Sequence, residues 1–278
     1  VTRRHTSINS VNLSFVEQWP SVDTPTAHLF LLHGFTGSAA GWAAHVDAFV
    51  AAGIHVVAID MLGHGLSDAP SDPDRYHIER CRDDLVALAA SLDLQPGTVD
   101  LLGYSMGGRI ALFTALSGFF RRLILESASP GIADSTERLA RRVADEQLAD
   151  SIERDGIAAF VARWEALPLF ASQRTLPDAV QSRVRYERLR NTPHGLANSL
   201  RGVGTGTQPA LHDQLVALTI PTLLIAGALD AKYVASAQQM AAALPHAQVA
   251  IVPDAGHTVH LERPAIFDTL VTNFVQRT

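Results

Sequence analysis

Gly103-Tyr104-Ser105-Met106-Gly107 is the stretch on which the reading of this chain turns. It follows the apolar run Val99-Asp100-Leu101-Leu102, which reads as a buried strand. It precedes Arg109 to Leu116, which reads as a helix. A serine between two such elements, flanked by small residues, is placed on a sharp strand-to-helix turn. Ser105 is then pushed out of the sheet with its hydroxyl exposed. The Met106 N–H and the positive end of the helix dipole point the same way.

Around that turn, strands and helices alternate. Ser7 to Trp19 alternates loosely, as a half-exposed strand or hairpin does. Ala27 to Leu32 is a continuous apolar run of the kind covered on both faces, and it ends in His33-Gly34-Phe35. A helix near Trp42 to Ala52, a strand at Ile54 to Ile59 and a helix near Ile78 to Leu92 follow. Arg122 to Glu126 is the strand after the elbow helix. Short alternating spacing of this kind implies an α/β fold with a mostly parallel, doubly wound sheet. The alternation stops from about Ser129 to Leu218, where amphipathic helices are separated by Gly156, Pro168, Pro177, Pro193 and the run Gly202 to Gly206. It resumes with strand Thr222 to Ala226, a helix near Val234 to Leu244, strand Gln248 to Val252 and a helix from Pro264 to Gln276. The chain therefore divides into core residues 1–128, a helical lid inserted between two strands at 129–218, and core residues 219–278. A lid beyond the C-terminal strand ends would lie over Ser105, because that edge carries the sites of such sheets.

Composition narrows the partners. The chain has 278 residues and a net charge of −6, against a nucleic-acid binder. No run of eighteen apolar residues reads as a membrane span, and the N-terminal residues are not followed by an apolar signal core. The single cysteine, Cys81, cannot form an internal disulfide, and no Cys/His spacing suits a metal. These features predict a cytoplasmic protein acting on a small molecule, with oligomeric state left open.

A serine hydroxyl becomes reactive when a base takes its proton and an acid orients the base. The chain order Ser, Asp, His selects Ser105, Asp230 and His257. Asp230 follows strand Thr222 to Ala226, and His257 follows the last strand in Asp254-Ala255-Gly256-His257. Asp254 is the competing acid but lies too near His257 in sequence; His260 belongs to the next helix. Backbone N–H groups of Phe35 and Met106 are the expected oxyanion-hole donors. His33 and His64 read as loop-bracing residues.

With these residues in place, the chain resembles the α/β-hydrolase superfamily over nearly its whole length. Ser105 to Arg109, Glu126 to Gly131, Trp164 to Phe170, Leu189 to Arg201, Gly204 to Pro209 and Asp230 to Tyr233 look more narrowly like the 2-succinyl-6-hydroxy-2,4-cyclohexadiene-1-carboxylate synthase family of menaquinone biosynthesis. One departure is His212, where an aromatic is expected. The resemblance implies a lyase that eliminates pyruvate from an enolpyruvyl cyclohexene bearing three carboxylates, without metal or organic cofactor. It implies substrate contacts from Arg109, from Arg141 and Arg190 of the lid, and from the aromatic residues Tyr104 and Trp164. Helical periodicity does not separate Arg141 from Arg142. Two other readings share the core motifs: a serine hydrolase of carboxylesters or of carbon–carbon bonds in ring-cleavage diketones, and a non-catalytic binding protein on the same scaffold.

Overall fold

The computed structural model describes residues 2–22 and 24–277. Strands β1 (Thr2–Ile8) and β2 (Val11–Gln18) form a hairpin. Its turn residues, Asn9 and Ser10, both have positive φ, 48° and 69°. That backbone twist matches the twist of the flanking strands. The hairpin starts five residues before the alternation at Ser7 suggests. β1 is an edge strand with one neighbour, so most of it can stay polar.

The remaining strands are β3 (Ala27–Leu32), β4 (Ile54–Ile59), β5 (Val99–Tyr104), β6 (Arg122–Glu126), β7 (Thr222–Gly227) and β8 (Ala247–Val252). They form one eight-stranded sheet in the order β1-β2-β4-β3-β5-β6-β7-β8. β2 runs antiparallel to both neighbours, and β3 to β8 are parallel throughout. This is the mostly parallel, doubly wound sheet expected from the alternation, in the α/β-hydrolase architecture that the resemblance implies.

Helices α1 (Ala43–Ala51), α2 (Ile78–Ser91) and α3 (Met106–Ala115) connect the first strands. Between β6 and β7 lie α4 (Ser135–Glu165), a 3-10 segment at Pro168–Thr175, α5 (Asp178–Leu189) and α6 (Pro193–Val203). The chain closes with α7 (Ala231–Ala243), the short α8 (Val259–Glu262) and α9 (Pro264–Val275). The separators seen in the sequence act locally as their chemistry dictates. Gly156 breaks α4 at φ 80°, Pro168 opens the 3-10 segment, Pro177 precedes α5, and Pro193 sits in the first turn of α6.

The period of two along β3 divides the core. Phe30 and Leu32 face a cluster that includes Leu85 and Leu88 of α2, Ile110 of α3 and Met240 of α7. Leu29 and Leu31 face the other side, with Phe49 of α1 and Phe267 and Phe274 of α9. Each such side chain contributes about 1.5–3 kcal/mol by leaving water. The helices between β6 and β7 carry a smaller cluster of their own, with Ile152, Phe160, Leu196 and Leu200. Chain order reverses between β3 and β5, so the loops after these two strands part at a switch point, where ligands of such sheets bind.

Candidate active site

Ser105 occupies the turn between β5 and α3 with φ 51° and ψ −107°. A non-glycine residue there is strained by about 1–3 kcal/mol, and the surroundings must hold it. The Ser105 N–H donates to the Glu126 carbonyl at 2.8 Å, and the Arg109 N–H to the Ser105 carbonyl at 3.0 Å. Gly107 lets the helix approach the end of β3. A Cβ there would lie 2.5 Å from the carbonyl oxygens of both Leu32 and His33.

The structure brings Ser105, His257 and Asp230 together. His257 Nε2 lies 3.0 Å from Ser105 Oγ, and His257 Nδ1 lies 2.7 Å from Asp230 Oδ2. The imidazole is 1% exposed. With Nδ1–H donating to the carboxylate, Nε2 is free to take the serine proton. The second oxygen of Asp230 accepts from the Tyr233 N–H at the start of α7, so one carboxylate both caps a helix and orients the histidine. Asp254 is turned to solvent and lies 3.5 Å from Arg263. Glu262 supports the site without any sequence signal of its own. Its carboxylate accepts from the Gly256 N–H at 2.6 Å and the Thr258 N–H at 3.2 Å, gripping the backbone on either side of His257.

Phe35 and Met106 both line the cavity beside Ser105. Among the described residues neither backbone N–H donates to a protein acceptor. His33 braces the Phe35 loop. It accepts from the Met61 N–H through Nε2 at 3.0 Å, so its Nδ1–H donates to the Gly34 carbonyl at 2.8 Å. Burial lowers the His33 pKa and keeps the ring neutral in that role. His260 Nδ1 lies 2.8 Å from Glu126 Oε2, outside the Ser105 relay.

The cavity over Ser105 has a volume of about 260 Å³. Its walls are aromatic and cationic. Trp164 packs against Phe35, Phe160 and Phe170, and its buried indole N–H has no partner among the described residues. Tyr104 lines the wall next to His257, with its hydroxyl 2.7 Å from Thr258 Oγ1. Among the described residues, Arg109, Arg141, Arg183, Arg188 and Lys232 all reach the lining, against one carboxylate, Glu187.

Arg109 is the most unusual of these. It is 9% exposed and donates to the Val203 carbonyl at 2.8 Å and to Gln208 Oε1. Both acceptors are neutral, and among the described residues no carboxylate lies within ion-pair distance. Burial lowers its pKa to about 10, which leaves it charged at neutral pH. Arg141 is half exposed, and its Nε donates to Asp145 at 2.7 Å. It lines the cavity and Arg142 does not.

One expected residue lies off the cavity. Arg190 lies past the end of α5, exposed, with its guanidinium over the Tyr186 ring, and does not line the cavity. Arg188 lines it instead. It is 8% exposed, stacks on Phe170 and donates to Gln173 Oε1 and Glu165 Oε1, each at 3.2 Å. The helical phase carried the signal: Arg188 follows Val184 by four residues, on the inward face of α5, whereas Arg190 has left the helix.

Comparison with known proteins agrees with this architecture. Residues 27–264 match the family model for the alpha/beta hydrolase fold. A Bacillus subtilis protein provisionally named as 2-succinyl-6-hydroxy-2,4-cyclohexadiene-1-carboxylate synthase is 45% identical over 246 residues, 88% of each chain. The synthase of that name from Serratia proteamaculans is 33% identical over 255 residues, covering 89% of this chain and 92% of its own. The solved structure of MenH from S. aureus superposes with a TM-score of 0.89 at 36% identity, over 94% of this chain and 97% of that one. The chain therefore belongs to the α/β-hydrolase fold family and, within it, to the 2-succinyl-6-hydroxy-2,4-cyclohexadiene-1-carboxylate synthase family.

Proposed function

We propose that this protein eliminates pyruvate from 2-succinyl-5-enolpyruvyl-6-hydroxy-3-cyclohexene-1-carboxylate, a step of menaquinone biosynthesis. One observation carries the reading. A buried guanidinium, Arg109, has only neutral partners one helical turn from Ser105. A buried cation without a counter-ion is costly, and an anionic ligand is what relieves it. The substrate brings three carboxylates, and Arg141 and Arg188 stand on the same cavity.

The triad supplies the base. His257, oriented by Asp230, takes the Ser105 proton, and the serine oxygen takes the ring proton beside the succinyl ketone. The electrons of that C–H bond form the first new ring double bond, the existing double bond shifts along the ring, and the bond to the enolpyruvyl oxygen breaks. The leaving enolpyruvate takes up a proton and becomes pyruvate. Negative charge passes through the ketone oxygen, where the Phe35 and Met106 N–H groups serve as donors. The residues 129–218 act as a lid that supplies Arg141, Trp164 and Arg188 and excludes water. The cytoplasmic location belongs to the same proposal and is tested by cell fractionation.

The experiment is turnover of the enolpyruvyl substrate beside a neutral aryl ester. Pyruvate should appear in step with the diene. Ser105→Ala and His257→Ala should each lose several orders of magnitude, and the double variant little more, because residues acting as a unit lose activity non-additively. Arg109→Met should lower kcat/KM for elimination by about ten- to a hundredfold, the worth of a charge-assisted hydrogen bond, and leave any esterolysis nearly unchanged. Rapid esterolysis with no pyruvate release would replace this reading with the hydrolase.

A further inference from the structure

A chain of hydrogen bonds runs along the cavity wall from residues 129–218 to the residue after His257. Arg188 donates to Gln173 Oε1 at 3.2 Å, Gln173 Nε2 donates to Thr258 Oγ1 at 2.8 Å, and Thr258 Oγ1 lies 2.7 Å from the Tyr104 hydroxyl. Arg188, Gln173 and Thr258 are 8%, 9% and 2% exposed, so these bonds are shielded from bulk water although they border the cavity. Two of the three directions follow from chemistry. A guanidinium only donates, which turns the amide oxygen of Gln173 towards Arg188 and its NH2 towards Thr258.

The third direction follows from counting protons. Thr258 Oγ1 already accepts from Gln173, and its own proton needs an acceptor. Among the described residues the one acceptor it reaches is the Tyr104 oxygen. A buried hydroxyl proton left unpaired is costly, so Thr258 donates to Tyr104. The Tyr104 proton is then not used within the chain, and Tyr104 lines the cavity beside Ser105 and His257. All three bonds point away from the cation, and such a chain polarises each donor after it.

We propose that Gln173 and Thr258 are positioning residues that fix Tyr104 as a hydrogen-bond donor to a carboxylate of the ligand, with Arg188 setting the direction. The proposal rests on the anionic substrate of the preceding reading. It assigns to the lid, through Gln173, a hold on the orientation of a proton in the core. Tyr104 suits the part chemically, since burial raises its pKa and keeps the phenol protonated.

Inverting the chain tests it. In Gln173→Glu the new carboxylate accepts from both Arg188 and Thr258. Thr258 must then turn its proton away from Tyr104, and Tyr104 must donate to Thr258 instead. Kinetics of pyruvate elimination are measured for Gln173→Glu, Gln173→Met, Tyr104→Phe, Thr258→Val, Thr258→Ser and the double variant Gln173→Glu/Tyr104→Phe. Gln173→Glu and Tyr104→Phe should each raise KM by about tenfold or more with a smaller change in kcat, the loss of one charge-assisted bond. The double variant should be no worse than the worse single. Gln173→Met should lose less than Gln173→Glu, because it breaks the chain without reversing it. Thr258→Ser should retain wild-type KM, and Thr258→Val should not.

Multiplicative losses in the double variant would show that the new carboxylate merely weakens the field at Arg188, and would overturn the relay. A Thr258→Val protein with wild-type KM would do the same. Wild-type protein that releases no pyruvate overturns the proposed function and the relay with it, whereas active wild type with independent losses overturns the relay alone.

Discussion

Two arginines two residues apart have opposite surroundings. Arg188 is enclosed between Phe170, Gln173 and Glu165 on the cavity wall, while Arg190 lies in solvent over Tyr186. Arg188→Ala should lower kcat/KM for the tricarboxylate by about tenfold or more, through lost charge-assisted bonds to the substrate and lost packing on Phe170. Arg190→Ala should change it less than twofold, since an exposed charge contributes about 0–1 kcal/mol. Steady-state kinetics of the two variants with the enolpyruvyl substrate decides, and equal losses would return Arg190 to the site. Lysine at 188 should restore only part of the loss, because an ammonium lacks the planar fork that stacks on Phe170 and reaches Gln173 and Glu165 together. That Ser105, Asp230 and His257 meet in space was legible in the sequence because chain order and loop position constrain them, and both are one-dimensional facts. The relay through Gln173 and Thr258 and the grip of Glu262 on the His257 loop were not. They depend on side chains 85 residues apart in one case and, in the other, on a tight turn into α8 that brings Glu262 back to Gly256 six residues earlier.

Elements were legible where a period or a breaker had no competitor. The predicted spans of β4 and β6 coincide with the observed Ile54–Ile59 and Arg122–Glu126, because apolar runs between breakers leave one reading. α7 begins at Ala231, three residues ahead of the expected helix, since the Asp230 side chain caps it while also serving His257. The elbow helix likewise begins at Met106 rather than Arg109. The glycine run through it is not helix-forming by propensity and is retained by contact. The junction of β3, β5 and α3 depends on Gly107, so Gly107→Ala should act on the element rather than on one side chain. Carbonyl oxygens of β3 cannot move aside as a flexible side chain would. We expect a loss of about 1–3 kcal/mol in urea unfolding, the typical range for overpacked core positions, together with near-complete loss of turnover. A stable, fully active Gly107→Ala protein would contradict the close packing of α3 on β3.

At the scale of the whole molecule, charge is distributed against its own sum. The chain is net −6, yet among the described residues five cations and one carboxylate line the cavity. The same molecule holds neutral imidazoles deep in its core: burial lowers His64 to about 3 and His55 to about 4. In the unfolded chain both titrate near 6.5, so below that pH the unfolded state binds protons that the folded state refuses. Their stabilising contribution is complete above pH 6.5 and declines as pH falls towards the folded values. At pH 5 the His64 share of that loss is about 2 kcal/mol. Urea midpoints should drop between pH 7 and pH 5, and His64→Asn, whose amide can still donate to the Leu62 carbonyl as Nδ1 does, should flatten the drop. An unchanged slope in that variant would place the acid sensitivity elsewhere.

The cationic cavity in an acidic molecule also fixes how salt should act. A focused positive potential raises the local concentration of an anionic ligand, and mobile ions screen that attraction beyond a Debye length of about 10 Å at 0.1 M. For a ligand with three carboxylates, kcat/KM should fall by about threefold or more between 0.05 M and 0.5 M sodium chloride, mostly through KM. Direct contacts at Arg109 resist screening because the guanidinium is buried, so the fall should level off at high salt rather than continue. A neutral aryl ester turned over by the same Ser105, His257 and Asp230 should show little salt dependence, which separates screening of the substrate from damage to the triad. In Arg141→Ala, where a half-exposed cation of the cavity lining is removed, the salt dependence should become shallower and the high-salt plateau should also fall below that of the wild type. Equal salt effects on the tricarboxylate and on the ester would mean that the cavity does not select its ligand by charge.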